Sequence, residues 1–184
     1  MRNRAGEETA TRIVDAARRI LSEAGLEAAT VKAICDAARV RPGSFYNLFD
    51  SKETVILEVI RQAIVAVDPD PERTGRDHVT DLMEAFVRFV EDQPDLARIY
   101  ITVGVSGGIT DAGIRTRMIR HHTERVARFT AALLRDRPEL TETEAQRQIE
   151  ALLAALNGYT LQRMLDPDFD FAGHARGLLE MEPR

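Results

Sequence analysis

The chain has 184 residues, 44% of them hydrophobic and 30% charged, with a formal net charge of −5. That balance excludes a disordered chain, and apolar runs shorter than about ten residues exclude a bilayer-spanning helix. Cys35 is the single cysteine, which excludes an internal disulfide or a cysteine zinc site and fits a reducing cytoplasm.

The opening stretch MRNRAGEETATRI carries basic residues without an apolar core, so it does not read as a secretory signal. Residues 1–53 hold nine Lys/Arg and eight Asp/Glu, for +1, while residues 54–184 carry −6. The N-terminal third is therefore the part least hostile to a polyanion.

In chain order, Ile13, Ala16, Ala17, Ile20, Leu21 and Ala24 share one helical face, and Gly25 ends that helix. Thr30 is placed to cap a second helix with Val31, Ile34, Cys35 and Ala38 on its inner face. Pro42 suits the first turn of a third, whose buried stripe is Phe45, Leu48 and Phe49. Asp50 and Glu53 have the spacing of a capping box for a fourth helix, running to about Val67.

DPDPERTG (68–75) reads as a linker. Val79, Leu82, Met83, Phe86 and Val90 outline a fifth helix, broken at Pro94. A sixth is expected over Asp95 to about Val105, with SGG (106–108) as a turn. The seventh then runs Ile109–Arg135. Thr141 and Glu144 cap an eighth, which stops at Asp166-Pro167, and a ninth spans Phe171 to about Met181. No alternating pattern argues for strands. The expectation is an all-α protein of about nine helices, divided into a helix-turn-helix domain (1–53), a connecting helix (54–67) and a larger helical domain (68–184).

Two short helices joined by a tight turn form the geometry that lays one helix in the major groove of DNA. Arg41 can reach a phosphate or a guanine edge, and Gly43 lets the backbone approach a duplex. Ser44 and Tyr46 offer hydroxyls to phosphate, and Asn47 can read adenine or brace the backbone. Thr30 and Lys32 begin the preceding helix and Lys52 the following one, where free N–H groups and positive charge favour phosphate. A helix pair that merely packs, with a polar outer face, has the same bare geometry.

The order TVKAI, RVRPGSFYNLF, DSKE in residues 30–34, 39–49 and 50–53 resembles the N-terminal domain of TetR-family transcriptional regulators, in register over residues 8 to about 65. The resemblance implies homodimers of all-helical subunits that bind palindromic operators and usually repress. It implies DNA contacts at Thr30, Lys32, Arg41, Pro42, Gly43, Ser44, Tyr46, Asn47 and Lys52, most of them to the backbone. The chain departs from the family habit at Arg39, Arg41, Pro42 and Leu48, which bears on the operator sequence.

The larger domain is expected to hold a small-molecule pocket and, through its last two helices, the dimer surface, with Ala151, Ala154, Ala155 and Gly158 allowing close approach. Candidate effector contacts are Phe86, Phe89, Tyr100, Val103, Met118, His122, Phe129, Leu153, Asn157 and Tyr159, together with Val90 and Ile99. Each of these also fits plain core. Their mix suits an apolar or aromatic ligand with one or two hydrogen-bonding groups.

No cofactor and no metal are expected. His121 and His122 are adjacent and diverge on a helix, and His78 and His174 lie far off in sequence. Cys35 fits the core. The chain lacks G-x-S-x-G, H-E-x-x-H and a P-loop, so an enzyme is not expected. The remaining alternatives are a helical adaptor that binds a protein partner without DNA affinity, and an activator of the same family.

Overall fold

The computed structural model describes residues 4–66 and 77–180, and of 104–110 and 180 the backbone alone. The described residues form helices without strands: α1 (Arg4–Ala28), α2 (Val31–Ala38), α3 (Pro42–Tyr46), α4 (Lys52–Ala66), α5 (Val79–Asp92), α6 (Pro94–Thr110), α7 (Ala112–Asp136), α8 (Glu142–Leu165) and α9 (Phe171–Glu180). The linker over 68–75 and the end of the last helix at Met181 lie outside the described residues.

Local chemistry sets most boundaries. Gly25 adopts φ 79° and ψ −175° and bends α1 out of helical geometry three residues before its end. An L side chain is strained at that φ, so glycine is the natural occupant. The Thr30 hydroxyl accepts the Ala33 N–H at 3.1 Å and starts α2. At α8 the capping box forms as its spacing predicts. The Thr141 N–H donates to Glu144 at 2.9 Å and the Glu144 N–H to Thr141 at 3.3 Å.

Two boundaries differ from the sequence reading. The cap of α4 is Ser51, which accepts the Thr54 N–H at 3.3 Å, rather than an Asp50–Glu53 box. SGG (106–108) is helical and lies inside α6. The break falls later, at Asp111, whose side chain accepts the Ile114 N–H at 2.8 Å and caps α7 at Ala112 instead of Ile109. Glycines lower helix propensity by only about 1 kcal/mol each, so a tertiary setting can override them, whereas an aspartate that captures orphan N–H groups sets a start.

One continuous apolar core links the two halves. Ile13, Ala17 and Leu21 of α1, Ile34 of α2, Phe45 of α3 and Val55, Ile56 and Val59 of α4 are buried together with Phe86 of α5, Ile99 of α6 and Leu153 of α8. α6 packs on both α1 and α4, and α7 and α8 form an antiparallel hairpin. Polar ties reinforce this. Ser22 of α1 donates to Asp95 of α6 at 2.8 Å. Arg128 of α7 pairs with Asp77 at 2.7 Å, and Arg176 of α9 with Glu84 of α5 at 2.6 Å.

No described helix is long and apolar enough to cross a membrane.

Candidate nucleic-acid interface and core polar cluster

The turn between α2 and α3 is set by α2's C-terminus. Arg39 takes the left-handed conformation (φ 55°, ψ 46°). Its N–H bonds Asp36 O at 3.2 Å, and the Val40 N–H reaches back to Cys35 O at 3.0 Å. This is a Schellman ending, in which two orphan carbonyls are satisfied as the chain reverses. It aims α3 away from α2 within three residues, Arg39 to Arg41.

On α3 a single residue, Phe45, is fully buried. Its ring meets Phe49 at 6.0 Å and fastens the five-residue helix to the core. Arg41, Pro42, Gly43, Ser44, Tyr46 and Asn47 are all exposed. Thr30 and Lys32 are also exposed, and Lys52 at the start of α4 is half-buried.

The side chains of Arg41, Ser44, Asn47 and Lys52 have no hydrogen-bonding or charged partner among the described residues. A Cβ added at Gly43 would meet nothing within 4 Å, so nothing in the subunit requires glycine there. Tyr46, 57% exposed, leaves its hydroxyl to solvent.

Thr30 spends its acceptor on the helix cap but keeps its O–H to donate. Lys32 is held by Asp36 at 2.8 Å, and that hydrogen bond and charge raise its pKa from the ordinary value. These exposed residues offer cations, hydroxyls and an amide, chemistry that suits phosphate oxygens and base edges.

Among the candidate effector contacts, Phe86, Phe89, Val90, Ile99, Tyr100, Val103, Phe129 and Leu153 are buried, and Met118, Asn157 and Tyr159 are half-buried. Phe89 stands edge-on to Tyr100 at 6.2 Å. Tyr159 sits apart, packed on Phe169 and His174 at 5.9 and 5.5 Å.

His122 is exposed and lines a cleft of about 300 Å³ between α7 and α8, with Val126, Thr130, Gln146 and Glu150. The histidine that turns inward is its neighbour His121, whose ring meets Tyr100 edge-on at 5.6 Å.

Arg125 is a site residue that the motifs do not single out. Its guanidinium is buried 4.4 Å above the Phe86 ring and 5.6 Å from the Phe129 ring, and it donates to the Tyr100 hydroxyl at 3.3 Å. The available signal was position. Met118, Arg125 and Phe129 fall on one face of α7, so a charge interrupts an otherwise apolar stripe.

Cys35 is buried, and burial pushes its thiol pKa up, as expected of a core cysteine rather than a reactive one. Among the described residues no three His, Cys, Asp or Glu side chains cluster as a metal site would require.

Residues 13–59 match the family model described as bacterial regulatory proteins, tetR family. The chain is 46% identical over 56 residues to the HTH-type transcriptional regulator UidR of Escherichia coli, covering 30% of this chain and 29% of that protein. It is 45% identical over 51 residues to the HTH-type transcriptional repressor KstR2 of Rhodococcus jostii, covering 28% of this chain and 25% of that one. The chain thus matches less than a third of the length of these curated relatives.

The fold is similar over nearly the whole chain to TylP, a TetR regulator from Streptomyces fradiae. The TM-score is 0.69 with 23% identity, over 96% of this chain and 84% of that one.

Proposed function

We propose that this chain, whose residues 13–59 match the tetR family model, is a dimeric, ligand-responsive DNA-binding regulator that represses transcription from a palindromic operator. The observation that carries the reading is the outer face of α3. It is exposed, its polar side chains lack partners among the described residues, and it carries a glycine that nothing in the subunit needs. A surface built only to pack would bury that face, and a plain solvated helix would have no use for Gly43, which costs helix stability. Repression is favoured because the relative KstR2 is named a repressor.

α8 supports the dimer. Ala151, Ala154 and Gly158 lie on one exposed stripe that continues to Leu161 and Leu165, 45% and 71% exposed. A Cβ at Gly158 would meet nothing within 4 Å, so its smallness serves no neighbour in the subunit and suits a close helix from a second copy. The division we propose is a helix-turn-helix domain over 1–53, a connecting helix over 54–67 and a larger domain over 68–184.

The switch runs through α6. Tyr100 of that helix lies in the aromatic core, and Asp95, one turn and a residue before it, holds Ser22 of α1. An effector that shifts α6 would move α1 and the recognition helices it braces off the spacing of about 34–36 Å that successive major grooves demand.

The test is fluorescence anisotropy on duplexes tiled from the intergenic DNA beside the gene, across a salt series. Tight binding to one palindromic tile, weakening steeply with salt, is expected, and Gly43→Leu should abolish it without loss of helicity. Absence of DNA binding at low salt would refute the reading and favour a protein-binding adaptor.

A further inference from the structure

We propose that Arg125 is the anchor for an anionic headgroup, and that the effector is an apolar or aromatic molecule bearing a carboxylate. The inference rests on the ligand-responsive reading and gives the ligand its chemical class.

Arg125 is 8% exposed, and no carboxylate among the described residues pairs with it. One guanidinium nitrogen, Nη1, donates to Tyr100, while Nη2 is buried without a partner. The rings of Phe86 and Phe129 compensate part of the charge. They cannot replace a counter-ion, because a desolvated guanidinium has five donors in a planar fork suited to a carboxylate.

A second observation points the same way. Asn157 Oδ1 is buried and unpartnered. The α7–α8 hairpin turns over residues 137–141, so equal distances from the turn put Asn157 at the level of His121, one turn from Arg125. Rotation of its amide can present either the oxygen or the NH₂ to a bound acid.

The surroundings fix the rest of the ligand. Phe86 and Phe129 offer only rings beside the guanidinium, and Phe89 stands against Phe86 and Tyr100, so the body behind the headgroup is apolar. Tyr100 takes one of the two N–H groups of Nη1, so a carboxylate docking on the fork sits against that hydroxyl. Because Tyr100 belongs to α6, binding would push on the helix that holds α1 through Asp95 and Ser22.

The experiment measures thermal unfolding of the full-length protein in a series of straight-chain alkanoates, butyrate to tetradecanoate, and phenylalkanoates, each beside its primary amide. At least one carboxylate is expected to raise Tm by several degrees while its amide does not. Arg125→Met should lose that shift and, lacking a buried unpaired charge, melt no lower than the parent when no ligand is present.

Three results would overturn the proposal: amides matching their acids, R125M keeping the shift, or no carboxylate in the series acting. If R125M fails to fold, Arg125→Lys decides. It keeps the charge without the fork, and an undiminished carboxylate shift would refute the assignment. Operator anisotropy in parallel separates the two readings. A carboxylate that binds through Arg125 yet leaves DNA affinity unchanged refutes the switch and leaves the anion site standing.

Discussion

Phe45 and Tyr46 are neighbours on a five-residue helix with their rings edge-on at 5.4 Å, yet Phe45 is fully buried and Tyr46 is 57% exposed. One anchors α3 and the other faces outward, so substitutions at the two should separate stability from binding. Phe45→Ala should destabilise the protein by about 3–5 kcal/mol, seen as a lower urea midpoint. Tyr46→Phe should leave the midpoint within about 0.5 kcal/mol of the parent and weaken operator binding several-fold in anisotropy. A Tyr46→Phe protein that binds DNA like its parent would remove the hydroxyl from the interface.

Arg39 occupies the left-handed turn position that glycine takes without penalty. Arg39→Gly should therefore stabilise the fold by up to about 1 kcal/mol in urea titration, because relief of the φ strain exceeds the added entropy of the unfolded chain. A destabilised variant would mean that the Arg39 side chain contributes packing that outweighs the strain.

Gly158 should be critical for assembly and dispensable for the subunit. Gly158→Arg places a long cation on the exposed α8 stripe, where its Cβ has room. Sedimentation equilibrium should find the parent dimeric and the variant monomeric, with circular dichroism unchanged. A dimeric G158R would move the interface elsewhere.

His78 and Asp136 clip the start of α5 to the end of α7, with Nδ1 and Oδ1 at 2.5 Å. The hydrogen bond that His78 donates to Asp136, and the charge of that carboxylate, raise the His78 pKa above the ordinary 6.5. Burial pushes Asp136 up, but the bonds from His78 and the Val79 N–H outweigh it and hold its pKa low. A raised histidine stabilises the fold fully below its unfolded pKa, and that contribution is lost as pH rises through the folded value. A lowered aspartate contributes above its unfolded pKa and loses the effect as pH falls through the folded value. The clip is therefore strongest in mildly acidic solution. The Tm difference between the parent and His78→Ala should be largest between about pH 5 and 6.5 and shrink above that range. A difference independent of pH would show that the clip does not act through charge.

The sequence by itself determined the local events. Gly25, Thr30, Pro42 and the Thr141–Glu144 box act within one helical turn, so their effect is legible from spacing. The outward set on α3 was legible for the same reason, since Phe45 alone turns inward. The tertiary structure decided what depends on neighbours distant in the chain. It carried α6 through SGG, because packing against α1 and α4 outweighs the weak helix propensity of glycine. It turned His121 rather than His122 toward Tyr100, a choice of about 100° in rotation that periodicity leaves open. It also buried Arg125 among Phe86, Tyr100 and Phe129, residues 25 or more positions away in two cases. A charge on an apolar stripe reads as solvated until the helices that cover it are in place, because burial is a property of the assembled fold.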